Sequence, residues 1–242
     1  MPTGLSTRVL QERICKYWSG FTATSSFSKG PNADCTRTAI QPLTATPATV
    51  RTVINAMQAE GGTNIHEGAA WGFRALSPTA PFTEGGAYGT STSKVMIIMT
   101  DGENTAYNLS GYCGSDQRDL NGNCYNSAYG FPYNSKNSST TSTSGGNVER
   151  MGPLGTTNAK LVEEMNTRTV QTCANAKAAG ITIYTIGLAT AKAEQSTQAV
   201  VEKMLTDCAS SSNRAYFPQE PRELKTVFQS IANELSALRL AQ

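Results

Sequence analysis

The sequence predicts an α/β fold, an open and mostly parallel sheet flanked by helices. Two short runs, Val95-Met96-Ile97-Ile98-Met99 and Ile181–Leu188, are apolar on both faces, as strands covered by helices on both sides are. Helical patterns alternate with strands in the order helix, strand, helix, strand, helix, strand, helix. The first run also stops abruptly at Thr100-Asp101-Gly102, a strand end passing into a turn.

Residues 1–39 are poorly patterned. Leu5, Val9, Leu10 and Ile14 could form one weak helical face, and 19–39 reads as loop. Ile40–Leu43 is a candidate short strand, which Pro42 confines to an edge or a strand end. Residues 47–59 read as a helix: Thr46 suits the N-cap, Pro47 the first helical position, and Gly61 follows the end. Its apolar face is Val50, Val53, Ile54 and Met57. A second helix starts near Asn64, which stands in capping-box spacing to Glu67. Ile65, Ala69, Phe73 and Leu76 line one side, and Ser77-Pro78 ends it. Further helices are expected over 159–179, closed by Gly180, and over 192–209. Ala215-Tyr216-Phe217 is a short last strand. Residues 221–239 form an amphipathic helix with Leu224, Val227, Phe228, Ile231, Leu235 and Leu238 on one face.

Residues 103–157 interrupt this order. They are dense in Asn, Ser, Gly, Thr and Tyr and carry no sustained period. So long an irregular stretch inside a domain is usually functional or disordered. It leaves from the carboxyl end of the Val95–Met99 strand, the edge where open parallel sheets bind ligands. Tyr112, Tyr125, Tyr129 and Tyr133 make either a contact surface on it or local packing. The expected organisation is a segment 1–39 followed by one domain, 40–242, with the 103–157 insertion.

A chain of 242 residues is long enough for a sizeable core. Its formal charge of +2 gives no electrostatic case for nucleic acid or a membrane surface. Cys15, Cys35, Cys113, Cys124, Cys173 and Cys208 show no C-x-x-C spacing, and the single His66 is distant in sequence, which argues against zinc. Even number and wide spacing suit three disulfides in an oxidising compartment, most economically paired in sequence order. Six buried free thiols are the alternative. Residues 1–20 show no apolar core of a signal peptide. An oxidised chain without an export signal is a contradiction, so the natural chain is expected to start upstream.

Two stretches carry the chemistry. Gly61-Gly62-Thr63-Asn64 opens a helix, and Thr100-Asp101-Gly102 ends a strand; in a parallel sheet both emerge on one edge. A Thr hydroxyl and an Asp carboxylate there are hard oxygen ligands suited to Mg²⁺ or Ca²⁺. Thr63 alone would read as a helix cap and Asp101 alone as a turn former; the pair in this order favours metal. His66 reads as a surface or packing residue and Trp71 as core. Asp119-Leu120-Asn121-Gly122-Asn123 is not an EF-hand, since Gly130 stands where the twelfth-position Glu belongs. A nucleophile with a matching base and a phosphate-binding loop are both lacking, so no enzyme is expected.

Gly62-Thr63-Asn64, a helix, and then an apolar strand ending in Thr100-Asp101-Gly102 resemble two of the three loops of the metal ion-dependent adhesion site of the von Willebrand factor A (vWA) family, a Rossmann-like fold. The strand Ile181–Leu188 and the closing helix match that family's order, and the resemblance covers about residues 40–242. A narrower resemblance, to TadG-type proteins of the bacterial Tad/Flp pilus machinery, runs through Gly62–Ile65, Trp71–Pro78, Thr172–Ala174, Cys208–Ser210 and Leu238–Leu240. It implies a non-catalytic binding module for pilus assembly or adhesion. Such a module is anchored in the inner membrane by an upstream helix, with the domain on the extracytoplasmic side. The family site holds Mg²⁺ (or Ca²⁺/Mn²⁺), with Thr63 expected as a direct ligand, Asp101 through water, and an acidic group of a protein partner in the last position. The family's first loop, Asp-x-Ser-x-Ser at the end of the first central strand, occurs nowhere in this chain. The expectation is therefore an N-terminally truncated vWA domain with a gap beside Val95–Met99 and a recognisable but metal-weak site. A metal-independent structural or interaction domain of the envelope is the alternative.

Overall fold

The structure is a computed structural model that describes residues 38–59, 62–89, 92–106, 133–134, 148–149, 151, 157–190 and 194–240. Thr38–Ala56, Thr63–Asn104 and Met165–Gln242 make up one compact unit, which holds the main sheet. A second unit includes Met57–Gly62 and Thr105–Glu164.

In chain order the elements are helix α1 (Pro47–Ala56), helix α2 (Ile65–Leu76), strand β1 (Lys94–Thr100), the short strands β2 (Tyr133–Asn134) and β3 (Val148–Glu149), helix α3 (Asn158–Ala178), strand β4 (Ile181–Gly187), helix α4 (Gln195–Cys208), strand β5 (Ala215–Tyr216) and helix α5 (Leu224–Leu240). The fold is α/β with an open parallel sheet, as the sequence predicts. Sheet order is β1–β4–β5. β1 and β4 run parallel from Lys94 opposite Ile181 to Thr100 opposite Gly187, and β5 pairs parallel with Thr185–Ile186. In the second unit β2 and β3, both within the polar insertion, form an antiparallel pair.

Strand alternation divides the core between the two faces. Met96, Ile98, Ile181 and Ile183 pack with Ile65 and Ala69 of α2, Cys173 and Ala176 of α3, and Val201, Met204 and Leu205 of α4. Tyr184 and Ile186 face the other way, against Ile231, Val227 and Leu235 of α5. Full burial of each such aliphatic side chain is worth about 1.5–3 kcal/mol. α3 ends at Gly180, whose φ of 82° is the left-handed conformation that closes helices. Gly187 ends β4 where a Cβ would meet Leu205 Cδ1 and Thr190 Cγ2 at 2.9 Å. Cys173 and Cys208 are disulfide-bonded with Cα atoms 5.1 Å apart, joining α3 to the last residue of α4 as the sequential pairing predicts. Cys15, Cys35, Cys113 and Cys124 lie outside the described residues.

Four expectations change. β1 is read from sequence as covered on both faces, yet Ile97 and Met99 are 41% and 53% exposed. The reason is cover: the cluster that α5 makes over Tyr184 and Ile186 of β4 reaches only Val95 of β1. The Pro47 helix forms but ends at Ala56 and buries none of its residues, with Val50, Ile54 and Met57 exposed. Ile40–Leu43 is irregular rather than a strand: Pro42 has no N–H to donate, and both apolar side chains are exposed. Phe228 of α5 is 42% exposed and stands off the packed face.

The connection from α2 to β1 is pinned by buried Lys94. Its Nζ donates to Leu76 O at 2.6 Å and to Gly86 O, and lies over the Tyr88 ring. Trp71 is half-buried, edge-on to Phe82 and beneath the Arg74 guanidinium. Among the described residues no helix is long and apolar enough to cross a membrane.

Candidate functional site

Two chain segments build the site at the carboxyl end of β1. The first opens α2. Asn64 is its N-cap, with Oδ1 accepting from Glu67 N at 3.0 Å, so the capping role falls to Asn64 and leaves half-buried Thr63 one residue outside the helix. The second segment closes β1. The hydroxyl of buried Thr100 donates to Gly102 O at 2.9 Å and accepts from Gly102 N at 3.3 Å, which folds the chain sharply around Asp101. The Asp101 side chain is thereby turned out to solvent.

Asn104 ties the two segments together. It is fully buried; its Oδ1 accepts from Ile65 N at 2.7 Å and its Nδ2 donates to Asn166 Oδ1 of α3 at 2.7 Å. Ile65 N is one of the first-turn amides that a helix cannot satisfy itself. One side chain thus fixes the loop after β1 to the start of α2 and to α3. The sequence reading missed Asn104. Its only signal is a carboxamide in the turn after a buried strand, four residues beyond Thr100.

Thr63 and Thr100 both line a cavity of about 270 Å³, together with Ile65, Gly68 and Gly72 of α2 and the preceding residues of β1. Asp101 is the next residue along the chain. The sequence-predicted pair, Thr63 and Asp101, is therefore brought to one end of one strand. The adjacent loop after β4 is also held: Leu188 N donates to Thr100 O at 2.9 Å, and buried Thr190 donates to Glu202 Oε1 at 2.8 Å. Ala189 there has a φ of 55°.

The donor set decides what this arrangement holds. Thr63 brings a hydroxyl and Asp101 a carboxylate. The Thr100 hydroxyl is committed to Gly102, and the Asn104 amide to Ile65 and Asn166. Two oxygen donors do not fill the six-coordinate shell of Mg²⁺. These residues do not by themselves fit the ion that the resemblance implies. Among the described residues no three His, Cys, Asp or Glu side chains cluster as a metal site. His66 is half-buried in the first turn of α2. The Asp119–Asn123 stretch and Tyr112, Tyr125 and Tyr129 lie outside the described residues.

A second polar cluster sits on the α5 face. Arg214 Nε donates to Glu234 Oε1 at 2.9 Å, and its guanidinium carbon lies 5.4 Å from the centre of the Tyr184 ring. The Tyr184 hydroxyl is buried and, among the described residues, has no hydrogen-bond partner. Burial first, and then the Glu234 carboxylate, push its pKa above the ordinary tyrosine value. The same carboxylate raises Arg214.

No protein-family model matches the chain, and no curated protein does. Among solved structures it is similar to the vWF domain of the type V pili tip protein Mfa5 from Porphyromonas gingivalis. That match has 18% identity and a TM-score of 0.48 and covers 81% of this chain and 75% of that one. It is also similar to the pilus adhesin SpaC from Lactobacillus rhamnosus GG, at 15% identity and a TM-score of 0.45, over 77% of this chain. The chain spans 20% of the length of that adhesin.

Proposed function

We propose that the chain is a non-catalytic protein-binding module of the bacterial cell envelope, acting in pilus assembly or adhesion in the manner of TadG-type proteins. Its contact edge is the carboxyl end of β1. The observation that carries this reading is the convergence of Thr63 and the Thr100–Asp101 turn on one end of one strand, with Asn104 holding the two segments in register. A loosely held divalent cation there, Mg²⁺ or Mn²⁺, would receive its remaining ligands from water, from further protein oxygens and from an acidic group of the partner. The envelope location rests on the resemblance and on the buried Cys173–Cys208 disulfide, which suits an oxidising compartment.

Paramagnetic Mn²⁺ reports weak binding by broadening nearby amide resonances. Titrated into the chain, it is expected to broaden the 62–66 and 100–104 amides selectively, at millimolar concentrations. Asp101→Ala is expected to abolish the effect. Absence of selective broadening would reject the cation. The small donor set gives the second reading its footing, a docking edge that works by shape without metal.

A further inference from the structure

We propose that the Cys173–Cys208 disulfide is a positioning element of the contact edge. Closing the bond sets the spacing of α3 and α4 that seats Asn104, so the edge reaches its binding geometry only in the oxidised chain. The consequence for binding rests on the reading of the carboxyl end of β1 as that edge. The coupling itself is tested without cation or partner.

Asn104 is clasped between two helices. Its Nδ2 donates to Asn166 Oδ1 of α3 at 2.7 Å and lies 3.8 Å from Met204 Sδ of α4. The disulfide joins the same two helices on the same faces. Cys173 follows Asn166 by seven residues and Cys208 follows Met204 by four, spacings that keep each pair on one side of its helix. Clasp and bond therefore lie about 10 Å apart along α3 and about 6 Å apart along α4. Between them Thr169 of α3 and Leu205 of α4 are fully buried, as are both cysteines. Cys173, Cys208 and Met204 also share one cluster with Ile65 and Ala69 of α2. Packing this close passes a shift on and does not absorb it.

The sizes decide the outcome. Reduction gives each sulfur a proton and breaks the bond between them; a dithiol supplies the two protons and two electrons and leaves as its own disulfide. Two thiols need more room than one disulfide, since their sulfurs part to van der Waals contact, roughly 1.5 Å farther than bonded ones. The bonds of Asn104 at 2.7 Å are lost to a shift of about 1 Å. A buried pair of thiols thus displaces the helices by more than the clasp tolerates. Lys177 Nζ, donating to Asp207 O at 2.7 Å and to Ala209 O at 3.1 Å, still joins α3 to the end of α4. Reduction therefore loosens the clasp without releasing the helices. Oxidation by a disulfide-bearing oxidant of the extracytoplasmic space runs the same exchange backwards and seats Asn104.

The test uses the whole chain and hydrogen exchange at the Ile65 amide, which donates to Asn104 Oδ1. In the Cys173→Ala, Cys208→Ala protein this amide should exchange at least tenfold faster than in the oxidised parent. Ile231→Ala is the control: it lowers stability from the other face of the sheet, and should leave the Ile65 amide unchanged, because local opening does not follow global stability. Coupling is reciprocal, so Asn104→Ala, which keeps both cysteines, gives a second readout. Its equilibrium constant for oxidation, measured against reduced and oxidised dithiothreitol, should fall at least tenfold, and that of Ile231→Ala should not. Two results would overturn the proposal: Ile65 exchange no faster in the double variant than in Ile231→Ala, or an oxidation constant that Asn104→Ala lowers no more than Ile231→Ala does. Either would leave the disulfide a brace of general stability. Neither depends on the Mn²⁺ titration, which tests the cation.

Discussion

Asn104 shows how one buried carboxamide can organise a site to which it contributes no ligand. Removing it strands Ile65 N and Asn166 Oδ1 without their partner. Asn104→Ala is expected to cost about 1–3 kcal/mol, read as a lower urea midpoint, and to broaden the amides of 62–66 through lost order. Tyr184 makes the opposite case, a buried hydroxyl without a hydrogen-bond partner among the described residues. Its folded pKa is raised by burial and by Glu234. The stability tied to its neutral form is therefore whole below the unfolded value of about 10 and is lost as pH rises through the folded value. Tyr184→Phe should leave stability at neutral pH unchanged or slightly higher and should lessen the fall above about pH 10. Denaturant midpoints across that range check both. Thr63 and Asp101 were legible because a Thr-Asp-Gly turn after an apolar run, paired with an upstream Gly-Thr-Asn, has few other readings. Asn104 was not legible, because what makes it matter is a helix terminus 39 residues away in sequence.

At the scale of elements, periodicity told what would form but not what would cover it. Ile181–Gly187 is apolar on both faces and is buried on both, since β1 and β5 flank it and α4 and α5 cover it. Val95–Met99 carries the same signal and, among the described residues, lies at the sheet's edge; composition does not say whether a neighbouring strand is there to pair. The face of α1 is equally regular, yet none of its residues is buried. The Cys173–Cys208 bond closes a span of 35 residues between α3 and α4. On the chain-entropy account, such a loop is worth about 3–4 kcal/mol. The double substitution Cys173→Ala, Cys208→Ala should lower the unfolding free energy by that order, and the melting temperature with it. An unchanged melting temperature would mean that helix packing alone holds α3 to α4.

Across the whole molecule, the alternation of helix and strand was enough to predict a parallel α/β sheet, and the absence of Asp-x-Ser-x-Ser was enough to expect a gap beside β1. The division into two compact units was not legible, because the polar insertion has no period from which to read its contacts. The incomplete donor set and the gap beside β1 share one structural claim: among the described residues β1 is paired on one side only. Hydrogen exchange resolved by residue tests it most directly. In a parallel strand, alternate amides point to opposite edges. Every second amide of Lys94–Thr100 should be protected as strongly as β4, and those between should exchange within minutes. Uniform protection along all of β1 would show that another strand already occupies the edge and would contradict the account.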